Sequence, residues 1–286
     1  MATPPSRDSI SGSGATPSNA QARAGFGALW DYLTGLLGLT GTASDARAAL
    51  GLGTAGATNE RNLVDNRTFV INQRVKAGTV VLAAGEYGHD RWKAGASGCT
   101  YTFAASGNDF VVTITAGSLL QIIDADDIEG GSYCMSWFGT AQGKIAGGSY
   151  AVSGVTATGV TANAAMTIEF NTGTLSRVQV EVGTSSTTFQ RRLRSYELLR
   201  CQRRRESGAG ELQAYNSAGN GTAVRIPFKV AKASGTLSVT YTVGANTNCN
   251  TYDARGATPD GLTWFATPIA TGTLAWIGTW TVSCEP

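Results

Sequence analysis

Phe110-Val-Val-Thr-Ile-Thr115 decides the fold class of this chain: Phe110, Val112 and Ile114 alternate with Val111, Thr113 and Thr115. Successive side chains of a strand point to opposite faces, so this stretch reads as a β-strand with one buried face. The same period recurs in Val178-Gln-Val-Glu-Val182, where three valines alternate with Gln179 and Glu181. Further short segments surround these two, at 79–83, 100–104, 119–123, 133–138, 150–153 and 166–170, punctuated by glycine. So many short strands predict a β-sandwich, a jelly roll, over residues 62–205.

Composition agrees. Only 15% of the 286 residues are charged, against a usual ~25%, and 37 are glycine, against a usual ~7%. Disorder is not expected, because 42% hydrophobic content with six tryptophans supports packed cores. A net charge of +2 offers no strong field toward nucleic acid or anionic membrane. No run approaches the ~18 apolar residues of a membrane span. Residues 1–14 are polar and lack the apolar run of a signal peptide, so synthesis in a cytoplasm is expected. The five cysteines (Cys99, Cys134, Cys201, Cys249, Cys284) follow no metal spacing, and their odd number predicts reduced, mostly buried thiols.

Upstream of the strands the pattern changes. Residues 1–24 hold no aromatic and almost no large apolar side chain, so alone they cannot offset the entropy of ordering. An extended peptide that docks on a partner is expected. Phe26, Leu29, Trp30, Leu33, Leu36 and Leu37 then form one helical stripe within residues 25–61. A helix of about a dozen residues does not stand alone in water, and copies of itself are the economical partner. A second short helix is expected over 42–53, with Ser44 as N-cap and Gly51 just past its end. The polar stretch 54–61 is the expected main domain boundary.

Downstream, 195–205 breaks the β pattern and suits a short helix capped by Ser195, whose basic end complements the helix dipole. Glu206-Ser-Gly-Ala-Gly210 reads as a second link. Residues 206–286 then form a smaller β domain, with strands expected at 224–230, 237–243, 262–266, 274–277 and 279–283. Pro227 cannot donate to a ladder and marks an edge strand or a bulge. Polar loops are expected at 246–253 and 255–261.

Several patterns invite a chemical reading. His89 is the only histidine and adjoins Asp90, but no nucleophile stands in a recognisable setting beside them, and a local structural pair is expected. Asp124-Ala-Asp-Asp-Ile-Glu129 lacks the loop pattern of a calcium site and reads as a solvated turn. Arg191, Arg192, Arg194, Arg200, Arg203, Arg204 and Arg205 form a basic cluster without the exposed aromatics of a nucleic-acid surface. Pairing with carboxylates such as Glu197 and Glu206, or contact with anionic polysaccharide, is expected instead. Trp92 and Trp137 read as core. Trp264, Trp276 and Trp280, with Tyr252, Arg255 and Asp260, lie near polar loops: either a receptor-contact platform on which sugar rings stack, or strand core. Phosphate-loop, dinucleotide, nucleophile-elbow and zinc motifs are missing, so no enzyme activity, metal or cofactor is expected.

Three separated segments resemble tailed-bacteriophage fibre proteins. Thr42-Ala-Ser-Asp-Ala-Arg-Ala-Ala-Leu-Gly-Leu-Gly53 resembles a stem repeat of such fibres. Asn62-Leu-Val-Asp-Asn-Arg-Thr-Phe-Val-Ile-Asn-Gln-Arg74, Asp90-Arg-Trp92, Val178-Gln-Val-Glu-Val-Gly183, Thr187-Thr-Phe-Gln-Arg191 and Tyr196-Glu-Leu-Leu-Arg-Cys-Gln-Arg203 follow in order. Together they resemble a jelly-roll module, related to carbohydrate-binding modules, of fibre and tail proteins. Val180 stands where leucine is common, and Arg204 where tyrosine is usual. The resemblance implies a homotrimeric, non-enzymatic virion protein. Residues 1–24 would dock to a tail or baseplate protein, and the distal β domain would meet a host surface glycan or outer-membrane receptor. A polysaccharide-degrading fibre and a purely structural virion connector are the alternatives. Neither nucleic-acid binding nor membrane insertion is implied.

The stem has a direct test. Leu33→Asp places a charge on the apolar stripe and is expected to convert trimer to monomer in light scattering, with the β-sheet circular dichroism unchanged.

Overall fold

The computed structural model describes residue 27 and residues 29–33, 61–233 and 235–286. The chain divides into two units, Met1–Arg61 and Asn62–Pro286. In the first, Gly27 and residues 29–33 are helical, which places Leu29, Trp30 and Leu33 of the predicted stripe on a helix, with Trp30 and Leu33 exposed. Phe26, Leu36, Leu37, the docking peptide 1–24 and the helix predicted over 42–53 lie outside the described residues.

The second unit is mostly β and antiparallel throughout. Its first part carries β1 (Val80–Leu82), β2 (Lys93–Ser106), β3 (Asp109–Ile123), β4 (Gly131–Phe138), β5 (Gly143–Ile145), β6 (Val155–Val160), β7 (Met166–Phe170) and β8 (Gly173–Val182). The order is β1-β2-β3-β8-β4-β6, with β7 and β5 joined to the other half of β3. Strand β3 divides its pairing: residues 112–114 meet β8, and residues 119–123 meet β7. The sheet thus folds over on itself. Met135 and Trp137 of β4 face Phe170 of β7 across the core, with the Trp137 and Phe170 rings 5.0 Å apart and edge-on.

Alternation holds at 112–115, whereas in β8 Gln179 and Glu181 are buried along with Val178 and Val180, and Val182 is exposed. Val112 and Ile114 are buried, as are Val178 and Val180, Trp92 and Trp137. The segments 110–115 and 119–123 are one continuous strand, β3. Strands β5 and β6 were not foreseen, and 150–153 contributes only a bridge between Ala151 and Gly143.

A single helix, α1 (Arg194–Gln202), follows. It begins one residue before the predicted cap: Leu193 is the N-cap, without a side-chain hydrogen bond, and Ser195 lies in the first turn. The distal part contains β9 (Arg205–Asn216), β10 (Thr222–Pro227), β11 (Ser238–Thr247), β12 (Cys249–Thr258), β13 (Gly261–Pro268) and β14 (Gly272–Ser283). They form two three-stranded sheets, β10-β13-β12 and β11-β14-β9. Pro227 sits on edge strand β10, where its missing N–H costs no ladder bond.

Two predictions fail here. Residues 206–210 are not a link, and 249–258 is not a loop: both are strands, β9 and β12. Gly208 and Gly210 signal flexibility in sequence, yet in β9 they make room for tryptophans. Gly208 lies opposite Trp280 in the ladder, and a Cβ there would stand 2.6 Å from Cζ2 of that indole. A Cβ on Gly210 would touch Trp264 at 3.4 Å. Gly208→Ala is therefore expected to cost about 1–3 kcal/mol by overpacking, read as a lowered midpoint in urea unfolding with an unchanged slope.

Candidate functional site

The segments between residues 62 and 203 that carry the fibre resemblance meet in one buried polar network. Arg67 is 1% exposed. Its Nη1 donates to Gln190 O at 2.7 Å, its Nη2 to Asn62 O at 3.0 Å, and Glu197 lies 3.8 Å from Nε. Arg91 pairs with Asp65 at 3.2 Å and Asp124 at 3.2 Å, and Arg192 with Glu197 at 3.2 Å. Arg200 reaches Asp65 and, at 3.2 Å, Asp127. Burial works to raise the Asp65 carboxyl, but the charges of Arg200 and Arg91 prevail and hold it below the usual range.

This network disposes of most chemical candidates. Asp124 and Asp127 of the acidic run are spent on arginines, Asp124 also meeting Arg204 at 2.6 Å. No group of three His, Cys, Asp or Glu side chains suited to a metal occurs among the described residues. The arginine cluster pairs largely within the chain, Glu197 taking Arg192 as expected, whereas Glu206 takes Lys232 at 2.6 Å instead of an arginine. All five cysteines are free and buried, and burial pushes the Cys99 thiol up to about 12. No helix among the described residues is long and apolar enough to cross a membrane.

His89 and Asp90 do not form a dyad. The Asp90 carboxylate accepts from Gln73 N at 2.6 Å and Gln73 Nε2 at 2.7 Å, while His89 Nδ1 lies 2.9 Å from the Tyr101 hydroxyl. Burial drives the His89 pKa down to about 4.

The distal receptor-contact candidates are corrected by the structure. Trp264 and Trp276 are 0% exposed and stack on each other, centroids 4.3 Å apart, as the core between the two small sheets. They cannot offer a face to a sugar. Tyr252 leans on Trp276 from the inner face of β12, whereas Arg255 points outward and lies 3.4 Å over the Phe265 ring. Asp260 occupies the turn between β12 and β13 and accepts from Phe228 N through its carbonyl. The five residues do not converge. Which face of a strand a tryptophan takes depends on the opposing sheet, and a single strand does not state it.

The structure instead brings together a cleft on the first sandwich. Its volume is about 540 Å³ and its walls include Ser136, Phe138, Arg177, Thr188, Phe189 and Arg191. Phe138 closes β4 and is 57% exposed. Arg177 lies on β8 where the pairing with β4 slips by one residue, and its φ is +50°. A bulky residue in the left-handed region is strained, and such bulges re-aim side chains. Here the guanidinium is turned over Phe138, 5.5 Å from the ring centre, and donates to Asp109 Oδ2 at 2.8 Å. Arg191 donates to the same oxygen at 2.7 Å. Although burial opposes it, these two hydrogen bonds hold the Asp109 carboxyl below its usual range.

The resemblance motifs position the far wall. Glu181 accepts from Thr187 N and Thr187 Oγ1, each at 2.7 Å, and Gln179 Oε1 accepts from Gln190 N at 2.7 Å. Residues between these anchors, Thr188 and Phe189, are thereby presented to the cleft. Sequence reading missed the site because Asp109, Arg177 and Arg191 are far apart in the chain. The one local signal is Arg177 itself, an arginine that breaks the alternation entering Val178.

Comparison of the chain with family models, with curated proteins and with solved structures finds no match in any of the three.

The buried histidine yields a pH prediction. The folded chain keeps His89 neutral down to about pH 4, whereas an unperturbed histidine protonates near 6.5. The unfolded state therefore binds more protons between those values, and stability falls as pH drops through the window. The His89 share of that fall is up to about 3 kcal/mol. His89→Gln is expected to flatten the decline, measured as urea midpoints across the same pH range.

Proposed function

We propose that the chain is a tailed-bacteriophage fibre protein, a homotrimer that attaches to the tail or baseplate by residues 1–24 and adheres to host surface glycan without chemical action on it. The observation that supports this reading best is the cleft beside Phe138. Saccharides present apolar ring faces and many hydroxyls. An exposed aromatic, a cluster of serine and threonine hydroxyls and two guanidiniums match both features. The ordered motifs of residues 42–203 supply the phage setting, and such a protein resides in the virion.

Binding is favoured over cleavage by the state of the carboxylates. Glycoside hydrolysis asks for two carboxyl groups flanking one bond, one of them a proton donor. No carboxylate lines the Phe138 cleft among the described residues. Asp109 behind it is fixed by two arginines in its ionised form, which suits it to orient guanidiniums rather than to donate a proton.

Phe138 carries the test. The full chain, applied to an array of bacterial surface polysaccharides, is expected to be retained on at least one. Phe138→Ala is expected to weaken that retention by about five- to tenfold, with unchanged melting because the ring packs on little. Retention on no glycan, or a variant indistinguishable from wild type, would overturn the reading.

A further inference from the structure

We infer that the groove containing Arg191 selects saccharides that carry an anionic group, a carboxylate or a phosphate, held by Arg191 and Arg194 beside the aromatic cleft. This rests on the saccharide reading of that cleft and goes beyond it by naming the ligand class. Arg191 belongs to the Phe138 cleft and equally to a second one, of about 460 Å³, whose walls include Asn108, Asp109, Phe110 and Arg194. One arginine thus lines both, and the groove is the two clefts taken together.

The charges in that groove do not cancel. Asp109 faces two guanidiniums, Arg177 and Arg191, and so neutralises one. Each spends a single N–H on Asp109 Oδ2, and their side chains are 42% and 45% exposed. The remaining N–H groups of each fork are free to grip an oxyanion, the geometry in which arginine exceeds lysine. Arg192 and Glu197, also in the second cleft, satisfy each other at 3.2 Å. Arg194, exposed at the rim, has no carboxylate partner among the described residues. The groove therefore keeps an excess of positive charge.

One further feature favours an anion. Helix α1 starts at this cleft, at Arg194, and its N-cap Leu193 supplies no side-chain acceptor to the first-turn N–H groups. That end of the helix carries the positive pole of the dipole.

The test uses the full chain on paired polysaccharides. Uronate-bearing and phosphate-bearing bacterial polysaccharides are immobilised, each beside its carboxyl-reduced or dephosphorylated form. Binding to the acidic member is expected to be about tenfold tighter or more, and to weaken as NaCl rises from about 50 to about 500 mM. Preference confined to the uronate pairs or to the phosphate pairs identifies the anion. Arg194→Gln and Arg191→Gln, checked for unchanged melting, are expected to narrow the acidic-to-neutral ratio to about threefold or less. Equal binding to both members of every pair that binds, or a ratio untouched by both substitutions, overturns the inference and leaves the glycan reading intact. Binding to neither member of any pair removes the glycan reading, and the inference with it.

Discussion

The fold of the larger unit depends on carboxylates and guanidiniums that have been taken out of water together. Asp65 is the centre, shared by Arg91, Arg192 and Arg200, which come from a corner before β2, the approach to α1 and α1 itself. Charges in such a place are costly singly: removing one partner of a buried pair typically loses about 3–5 kcal/mol, because the other is left uncompensated. An apolar substitute for the whole set would be no weaker, so strength alone does not account for it. Apolar contacts tolerate sliding, whereas fixed hydrogen-bond forks do not. In a chain rich in glycine and poor in charge, the network specifies where the segment after Val182 and helix α1 must lie.

That constraint reaches the cleft through a short relay. Asn62 uses its side-chain oxygen for Val64 N and Val180 N, and its backbone N–H donates to Gln190 Oε1 at 3.0 Å. Gln190 O in turn accepts from Arg67, and Glu181 clamps Thr187. The loop bearing Phe189 and Arg191 is therefore fixed on both sides by buried groups, although its tip faces solvent. Across from it, Arg177 keeps a left-handed backbone that a regular strand would not tolerate. Strain of this kind persists where surrounding contacts over-determine it, and here Asp109 and the Arg67 O to Val178 N bond of 3.0 Å do so.

What could be read in advance divides along physical lines. Alternation marked the strands around 110–115, 166–170 and 178–182 because the period of two is local, although from 178 to 181 both faces are buried. Pro227 disclosed an edge because its ring lacks a donor whatever surrounds it. By contrast, the glycines of 206–210 have two physical meanings, freedom and lack of bulk, and only the opposing Trp280 and Trp264 select the second. Tryptophans 264 and 276 were ambiguous for the complementary reason: aromatic faces serve cores and sugars alike until the second sheet is placed. The quoted motifs were legible as an ordered set, but their work is burial and positioning. The groups left exposed by that work, Phe138 with Arg177 and Arg191, are scattered in sequence and became a site only in three dimensions.

Charge distribution ties these levels together. The whole chain carries only +2, so its field at long range is weak and does not explain selective attraction. Locally the balance differs, because the carboxylates Asp65, Glu197 and Asp124 take up Arg192, Arg200 and Arg204. Among the described residues Arg177, Arg191 and Arg194 are left with Asp109 as the one carboxylate bonded among them. A weak overall charge with a local excess would suit the proposed adhesin: encounter would be left to diffusion and multivalent presentation, and discrimination would occur at contact range, inside a Debye length of about 8–10 Å. In the proposed trimer three such grooves would act together, and linkage would raise avidity by about 10²–10⁴ where their spacing permits simultaneous contact. Each single groove would then have no need to bind tightly, and a strained bulge, an exposed phenylalanine and two half-exposed guanidiniums would be enough.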